Sequence, residues 1–510
     1  MATDNVPTAD GGAISGPETG SALYLGGVCL AASLGGLLFG FDTAVISGTF
    51  GFVKEQFGLS DLQVGWFGSS ALVGCIFGAA AAGVLGDRFG RRPILMISAF
   101  LFFISALLST IPPTFAVLIP ARIVGGLGVG MASVLAPMYI SEFVPPRLRG
   151  RLVATYQLSI VIGILAAYFS NWLLLRLAQG QSQAFGGQGL LHWILIAEVW
   201  RGMFGVEMLP AGLFLLLLLF VPESPRWLAK EGRDERALGI LAKVGGREVA
   251  RRQMAEIKDA LIHEEGTLAE LFRPGLRRAL VVGVGLSLFG QMTGVNIVVY
   301  YGPTILQQAG FEKIGALQFQ VGFGLINLIF TLIALGLIDH LGRRPLLLGG
   351  MAVVVLTLAL TGGLFLFGSE HVVSEAQSDV TSVVLSREVG RWVVGVLAVY
   401  MACVALSICA VIWVLTPEIF PNRVRGRAVS VATLTNWGTN ATSAFLFPWY
   451  VNRLGMHVGF LTFAVICLAG TIFFWRYVPE TKGRSLEDIE KSWLRRPDPT
   501  GRHELQPPTD

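Results

Sequence analysis

Charge is what this sequence has least of. Only 14% of its 510 residues are Asp, Glu, Lys or Arg, while 53% are hydrophobic; an ordinary soluble domain is about 25% charged. Water-facing surface cannot be built at that ratio, which excludes a soluble globular protein. Cysteine is also scarce. Cys29, Cys75, Cys403, Cys409 and Cys467 all lie in apolar stretches with neither CxxC nor Cys/His ligand spacing, so neither a disulfide nor a metal is expected. His192, His263, His340, His371, His457 and His503 form no helical ligand pair. The absence of a Gly-x-x-x-x-Gly-Lys-Ser/Thr loop argues against ATP-driven pumping by this chain. No nucleophile–base arrangement suggests an enzyme, and no cofactor is called for. The net charge of +4 is small, and its basic residues sit in short clusters between apolar runs. Such a pattern speaks of membrane orientation and not of a nucleic-acid partner.

What the chain does have is long apolar runs. Segments near 23–48, 62–86, 93–112, 115–140, 152–175, 199–221, 280–306, 319–341, 345–367, 392–416, 427–452 and 456–477 are each long enough to cross a hydrocarbon core of about 30 Å. The expected fold is therefore an all-α membrane protein of twelve transmembrane helices. Residues 1–21 are polar, lack the basic n-region of a cleaved signal, and read as a disordered tail. Residues 22–222 and 279–478 hold six spans each, and 479–510 form a C-terminal tail. Between the halves, residues 223–278 carry 12 Lys/Arg and 10 Asp/Glu, a soluble insert of short helices on which Leu238, Leu241, Met254, Ile257 and Leu261 can share one face.

Orientation follows from the short loops. Arg88, Arg91 and Arg92; Arg147, Arg149 and Arg151; Arg343 and Arg344; and Arg423, Arg425 and Arg427 all fall in alternate loops, whereas Gly368–Glu388 is acidic. With the basic loops held inside, both termini are cytoplasmic and the protein is a multi-pass protein of the inner or plasma membrane.

An internal repeat decides the architecture. Gly86-Asp-Arg-Phe-Gly-Arg-Arg-Pro93 returns as Ile338-Asp-His-Leu-Gly-Arg-Arg-Pro345. Glu142-Phe-Val-Pro-Pro-Arg-Leu-Arg-Gly-Arg151 returns as Glu418-Ile-Phe-Pro-Asn-Arg-Val-Arg-Gly-Arg427, and Pro222-Glu-Ser224 returns as Pro479-Glu-Thr481. Three motifs repeat in the same order about half a chain apart, the pattern of a duplicated six-span unit that binds its substrate between the halves by alternating access. Asp87, Arg88, Arg91, Arg92, Glu142, Arg151 and Glu223 in one half, and Asp339, Arg343, Arg344, Glu418, Arg427 and Glu480 in the other, form a candidate cytoplasmic gating network. It would break and re-form as the halves rock.

Two ionisable residues lie deep in apolar spans, Asp42 and Arg122. Each costs several kcal/mol unpaired, so an intramembrane pair with a functional role is expected. Amides in membrane spans are also costly. Gln157, Gln291, Asn296, Tyr300, Asn327, Trp413, Asn436, Trp437 and Asn440 supply the paired donors, acceptors and indole faces that a polyol needs. Gly126-Leu-Gly-Val-Gly130 resembles part of a dinucleotide loop, but without a preceding strand it reads as close helix packing.

These motifs resemble the major facilitator superfamily and, within it, the sugar porter family, from about Tyr24 to Glu487. Pro222-Glu-Ser-Pro-Arg-Trp227 and Pro479-Glu-Thr-Lys-Gly-Arg484 complete the match. The resemblance implies a proton-coupled or facilitated carrier of hexoses or pentoses that rocks between inward-open and outward-open states; a monomer in the lipid bilayer with a proton as co-substrate is expected. Proton-coupled members carry Asp at the position of Asp42, where facilitative members carry Asn. It also implies that Gln157, Gln291, Asn296, Asn327 and Trp413 contact sugar, while Asn436-Trp437 is similar to the facilitative members. Two positions depart: Gly290 replaces the first Gln of a usual pair, and Cys409-Ala-Val-Ile-Trp413 lacks the usual Gly-Pro. Bends are expected at Gly294, Gly302 and Pro303 in the seventh span and at Pro417 in the tenth. Symport is the leading reading; a facilitative uniporter and a transporter-like sugar sensor are the alternatives.

Overall fold

In the computed structural model, residues 19–180, 189–262, 268–273, 276–372, 382–421 and 424–482 are described. Among them, eleven helices are long and apolar enough to cross a membrane. The twelfth is Arg425–Leu454, 30 residues long; Thr433, Thr435, Asn436, Thr439, Asn440 and Thr442 make it too polar to stand out by composition. Asp339, Arg147, Arg149 and Leu261 lie where side chains are not described, and Arg423, Glu375 and Asp379 fall outside the described residues.

The chain divides into two compact units, Met1–Ser60 with Ser70–Glu264, and Asp61–Ser69 with Glu265–Asp510. Within the first, small residues let helices approach closely. A Cβ on Gly126 would sit 1.8 Å from the Ala71 carbonyl oxygen, and one on Gly130 would sit 2.3 Å from that of Cys75, so these glycines are packing positions between the second and fourth spans.

Four of the long elements are discontinuous. The first runs Ala22–Val45 and tightens into a 3-10 turn at Ile46–Gly48. The sixth is Val199–Gly205 followed by Met208–Leu218, with a turn at Val206–Glu207. The seventh is Leu276–Gln291 followed by Val295–Gln308, broken at Gly294, whose φ of 83° only glycine adopts without strain. In the tenth the break comes after Leu406, at Ser407. The bends expected at Gly302, Pro303 and Pro417 do not end a helix: Pro303 and Pro417 stay inside helices, and Gly302 instead packs against the Gln320 amide.

The charged insert folds with the first unit as Pro225–Lys230, Asp234–Gly245 and Arg247–Ile262. Its core is Trp227, Leu228, Ala237, Leu241, Ala242, Ala250 and Met254, with Leu238 and Ile257 against it. Ser224 caps the first of these helices by accepting from the Trp227 N–H at 3.2 Å, and Pro225 occupies the first turn, where a missing N–H costs nothing. In the second unit the acidic loop contains an antiparallel pair, Ser369–Val372 with Ser382–Leu385, in the register Ser369 to Leu385. β-Branched Val383 and Val384 favour that extended backbone.

Candidate functional site

The first unit buries charge. Arg122 Nη1 lies 2.5 Å from Asp42 Oδ1, and Arg122 Nη2 donates to the Asp42 carbonyl at 3.1 Å. Neither residue is more than 1% exposed. The guanidinium carbon lies 5.1 Å from the centroid of the Phe204 ring, so hydrocarbon and an aromatic face surround the pair in place of water.

Glu207 is the third member of this cluster, and the sequence reading passed over it. It is 1% exposed and stands at the turn that interrupts the sixth span, where its N–H bonds the Phe204 carbonyl at 3.2 Å. Its carboxyl lies within electrostatic reach of both Asp42 and Arg122. Among the described residues, Asp42 Oδ2 and Glu207 Oε1 accept from no donor. The rule that singled out Asp42 and Arg122, an ionisable group deep in an apolar run, applies equally to Glu207 in Met203-Phe-Gly-Val-Glu-Met208. Gln157 is half-buried on Pro146–Gly180 in the same unit.

The second unit buries amides instead. Gln291 ends the first half of the seventh span and Asn296 opens the second, so the break at Gly294 places them around one turn. Asn296 Nδ2 donates to Gln291 Oε1 at 2.6 Å, and Gln291 Nε2 donates to Asn436 Oδ1. Separately, Asn440 Nδ2 donates to the Tyr300 hydroxyl at 3.0 Å. Gln291, Asn436 and the 45% exposed Trp413 line one pocket of about 120 Å³. Asn327 is not part of it: it is buried and accepts from Thr331 on its own helix at 3.5 Å. Trp437 is buried and does not line the pocket either.

Each Gly-Arg-Arg motif ends in a charge relay closed within its own unit. In the first, Glu223 accepts from the Arg91 N–H at 3.0 Å and the Arg92 N–H at 3.2 Å. Arg91 in turn bonds Glu142 at 3.1–3.2 Å and Asp87 at 3.0 Å. Ser224 donates to Glu142. In the second, Glu480 accepts from the Arg343 N–H at 3.1 Å and the Arg344 N–H at 3.0 Å. Arg343 reaches Glu418 at 3.3 Å, and Thr481 donates to Glu418 at 2.6 Å. Glu223 and Glu480 are therefore anions at helix N-termini, where unpaired N–H groups and the helix dipole favour negative charge.

Gly90 and Gly342 precede those helices at φ of 98° and 90°. A Cβ on Gly90 would sit 2.3 Å from Glu223 Oε2, and one on Gly342 would sit 3.0 Å from Glu480 Oε2. Burial pulls the Glu480 pKa up, but hydrogen bonds from the backbone of Lys482, Arg344, Arg343 and Thr481 outweigh it and hold the carboxyl below its ordinary range. Arg92 serves differently, donating to the Leu218 and Leu219 carbonyls at 2.9 Å each. Arg88 is exposed against the Phe89 ring. Arg151 and Arg427 are exposed, and the relays do not bring them in, because both lie on the solvent side of their helices.

A further cluster escaped sequence reasoning because one member, Gln56, comes from 142 residues away in the chain. Glu198 accepts from Gln56 Nε2 at 2.5 Å, Trp193 Nε1 at 2.6 Å and Arg201 Nε at 2.7 Å. Arg201 stacks between the Trp193 and Trp200 rings, 4.2 and 4.4 Å from their centroids. Burial raises the Glu198 pKa, but these three hydrogen bonds prevail and hold it low.

Two six-span repeats with interrupted helices beside buried polar groups define a membrane transporter of the major facilitator type. The chain belongs to the sugar transporter family: the family model for "Sugar (and other) transporter" matches residues 28–493. It is 41% identical to the arabinose-proton symporter of Bacillus subtilis, over 92% of this chain and 95% of that protein. It is 38% identical to the D-xylose-proton symporter of Escherichia coli, over 92% and 96%. Its fold is similar to the solved xylose transporter of E. coli in a partially occluded, inward-open conformation, at a TM-score of 0.76 and 34% identity, covering 91% of this chain and all of that one.

Proposed function

We propose that this protein is a proton-coupled monosaccharide symporter that works by alternating access in the cell membrane, with both termini and the basic loops cytoplasmic. It acts as a monomer in the bilayer. Asp42, Glu207 and Arg122 couple the proton; the Asn296–Gln291–Asn436 relay, Tyr300, Asn440, Trp413 and Gln157 contact the sugar.

The observation that carries the reading is the buried cluster of two carboxyls and one guanidinium. Two carboxyls and one guanidinium buried together away from water are electrically balanced when the cluster holds one proton. A movement that separates Arg122 from Asp42 unbalances it, and the proton load changes with conformation. That is the linkage a symporter needs. The relays at the Gly-Arg-Arg loops bias the same two-state equilibrium by breaking and re-forming as the halves rock.

The test is uptake of labelled xylose, arabinose and glucose into proteoliposomes with and without an inward proton gradient. Wild-type protein accumulates sugar only with the gradient, while Asp42→Asn and Glu207→Gln lose accumulation yet retain counterflow exchange. Gradient-independent equilibration by wild-type protein would instead identify a facilitative uniporter, a reading that the Asn436-Trp437 pair favours.

A further inference from the structure

The pocket in the second unit has two unlike walls. One is the amide relay, in which Gln291 Nε2 is spent on Asn436 and Gln291 Oε1 on Asn296. The other is the hydrocarbon that Gly290, Val295, Ile408 and Ile412 add to the same lining. Gly290 and Ile412 fit as a pair. A Cβ at position 290 would lie 2.2 Å from Ile412 Cδ1, with Cγ1 at 3.6 Å and Cγ2 at 3.9 Å. The isoleucine branch thus fills the volume that a side chain beside Gln291 would need. Next to the amide the seventh span carries no side chain, and hydrocarbon from the tenth takes up the space.

A hydroxyl turned toward that wall leaves water and finds no partner, which is the costly half of the hydrogen-bond balance. A methyl or a ring C–H loses nothing there. In a pyranose hexose, the substituent on C5 is the one ring substituent joined through carbon, so it is the one that matches a hydrocarbon wall while the ring hydroxyls meet the amides.

Building on the transport reading above, we infer that Gly290 and Ile412 together form an apolar specificity wall that selects pentoses and 6-deoxyhexoses over hexoses bearing a hydroxymethyl group. The amides of the same pocket hold the hydroxyls common to all of these sugars, and the wall decides between them at one carbon.

The experiment is counterflow exchange in proteoliposomes loaded with D-xylose or L-arabinose, whichever exchanges faster, with D-xylose, 6-deoxy-D-glucose and D-glucose as competitors. Wild-type protein should be inhibited by xylose and 6-deoxyglucose at concentrations roughly tenfold below glucose, the low end of what one pocket contact discriminates. The double variant Gly290→Gln with Ile412→Ala supplies an amide and the space for it, and should collapse or reverse the ratio. Ile412→Val, which only trims the wall, should lower it part of the way. Equal inhibition by glucose and 6-deoxyglucose in wild-type protein overturns the inference, as does an unchanged ratio in either variant that still exchanges sugar. If the double variant exchanges nothing, the wild-type and Ile412→Val ratios decide. No exchange of any sugar by wild-type protein would remove the transport reading itself and the wall with it, an outcome distinct from exchange without selectivity.

Discussion

The two Gly-Arg-Arg relays are built alike yet set differently. Glu223 and Glu480 cap matching helices, and Arg91 and Arg343 turn toward Glu142 and Glu418. Ser224 and Thr481 close each ring with a hydroxyl. In the first unit the Arg91 and Glu142 side chains are only 7% and 5% exposed; in the second, Arg343 and Glu418 are 15% and 27% exposed. The insert accounts for the difference. Ser224 begins its first helix, and Trp227 Nε1 donates to the Asp87 carbonyl at 3.1 Å, roofing the relay. Duplication kept what a helix end always requires, an anion on free N–H groups. The copy that the insert helices cover is the dry one, and the other is partly wet.

The largest expected effect would break the comparison if it failed. Glu142→Gln leaves Arg91 buried without its full counter-charge and should cost about 3 kcal/mol, the range for breaking a buried pair. Glu418→Gln, in the wetter relay, should cost about 1 kcal/mol. Thermal unfolding of the purified variants in detergent reads both, and equal losses would show that the insert does not matter to the relay.

Next come the glycines. Gly90→Ala forces a side chain into the left-handed region and against Glu223 Oε2, for a loss of about 2–3 kcal/mol. Gly342→Ala carries the same backbone strain with a looser contact and should lose about 1–2 kcal/mol. The same unfolding assay compares them; a larger loss at Gly342 contradicts the geometry.

The third effect is one of pH. Because the folded-state pKa of Glu480 lies below its ordinary 4.5, its contribution is present above that value and is lost as pH falls through the depressed folded pKa. Glu480→Gln should therefore flatten the stability profile on the acid side of about pH 4.5, while the profiles of both proteins above that pH run parallel. A variant profile as steep as wild type on the acid side would show that another carboxylate dominates there.

The smallest effects sharpen the boundary of the network. Arg151→Gln and Arg427→Gln, both at exposed positions, should change stability by no more than about 0.5 kcal/mol. A loss above 1 kcal/mol in either would place that arginine inside the relay after all.

Much of the architecture was legible in the sequence, because its causes are local. Apolar runs of spanning length and the three repeated motifs announce the helices and the duplication without any tertiary information. Asp42 and Arg122 were legible for the same reason, since an ion in hydrocarbon advertises itself by cost. Glu207 was equally legible in principle. Its turn at Val206–Glu207 was not, because no glycine or proline marks it. The helix breaks show the limit most clearly. Gly294 breaks the seventh span, where its positive φ is needed, whereas Pro303 and Pro417 sit within helices, and at Pro303 Gln320 Nε2 donates at 3.2 Å to the Val299 carbonyl that the proline leaves free. The amides divided too: Gln291, Asn296 and Asn436 form one relay, while Asn327 bonds Thr331 on its own helix. Residue type alone could not separate those two fates.

By itself, the sequence determined the solvent, the count of spanning elements, the repeat and the kinds of polar group placed in the membrane. These follow from hydrophobicity and covalent order. Tertiary structure decided the partners: that Glu207 joins Asp42 and Arg122, that Ile412 fills the space beside Gly290, and that Glu223 and Glu480 cap helices more than a hundred residues away. Partnership depends on which helix faces which at a few ångströms. That is set by the packing of the whole unit and by no local stretch of chain.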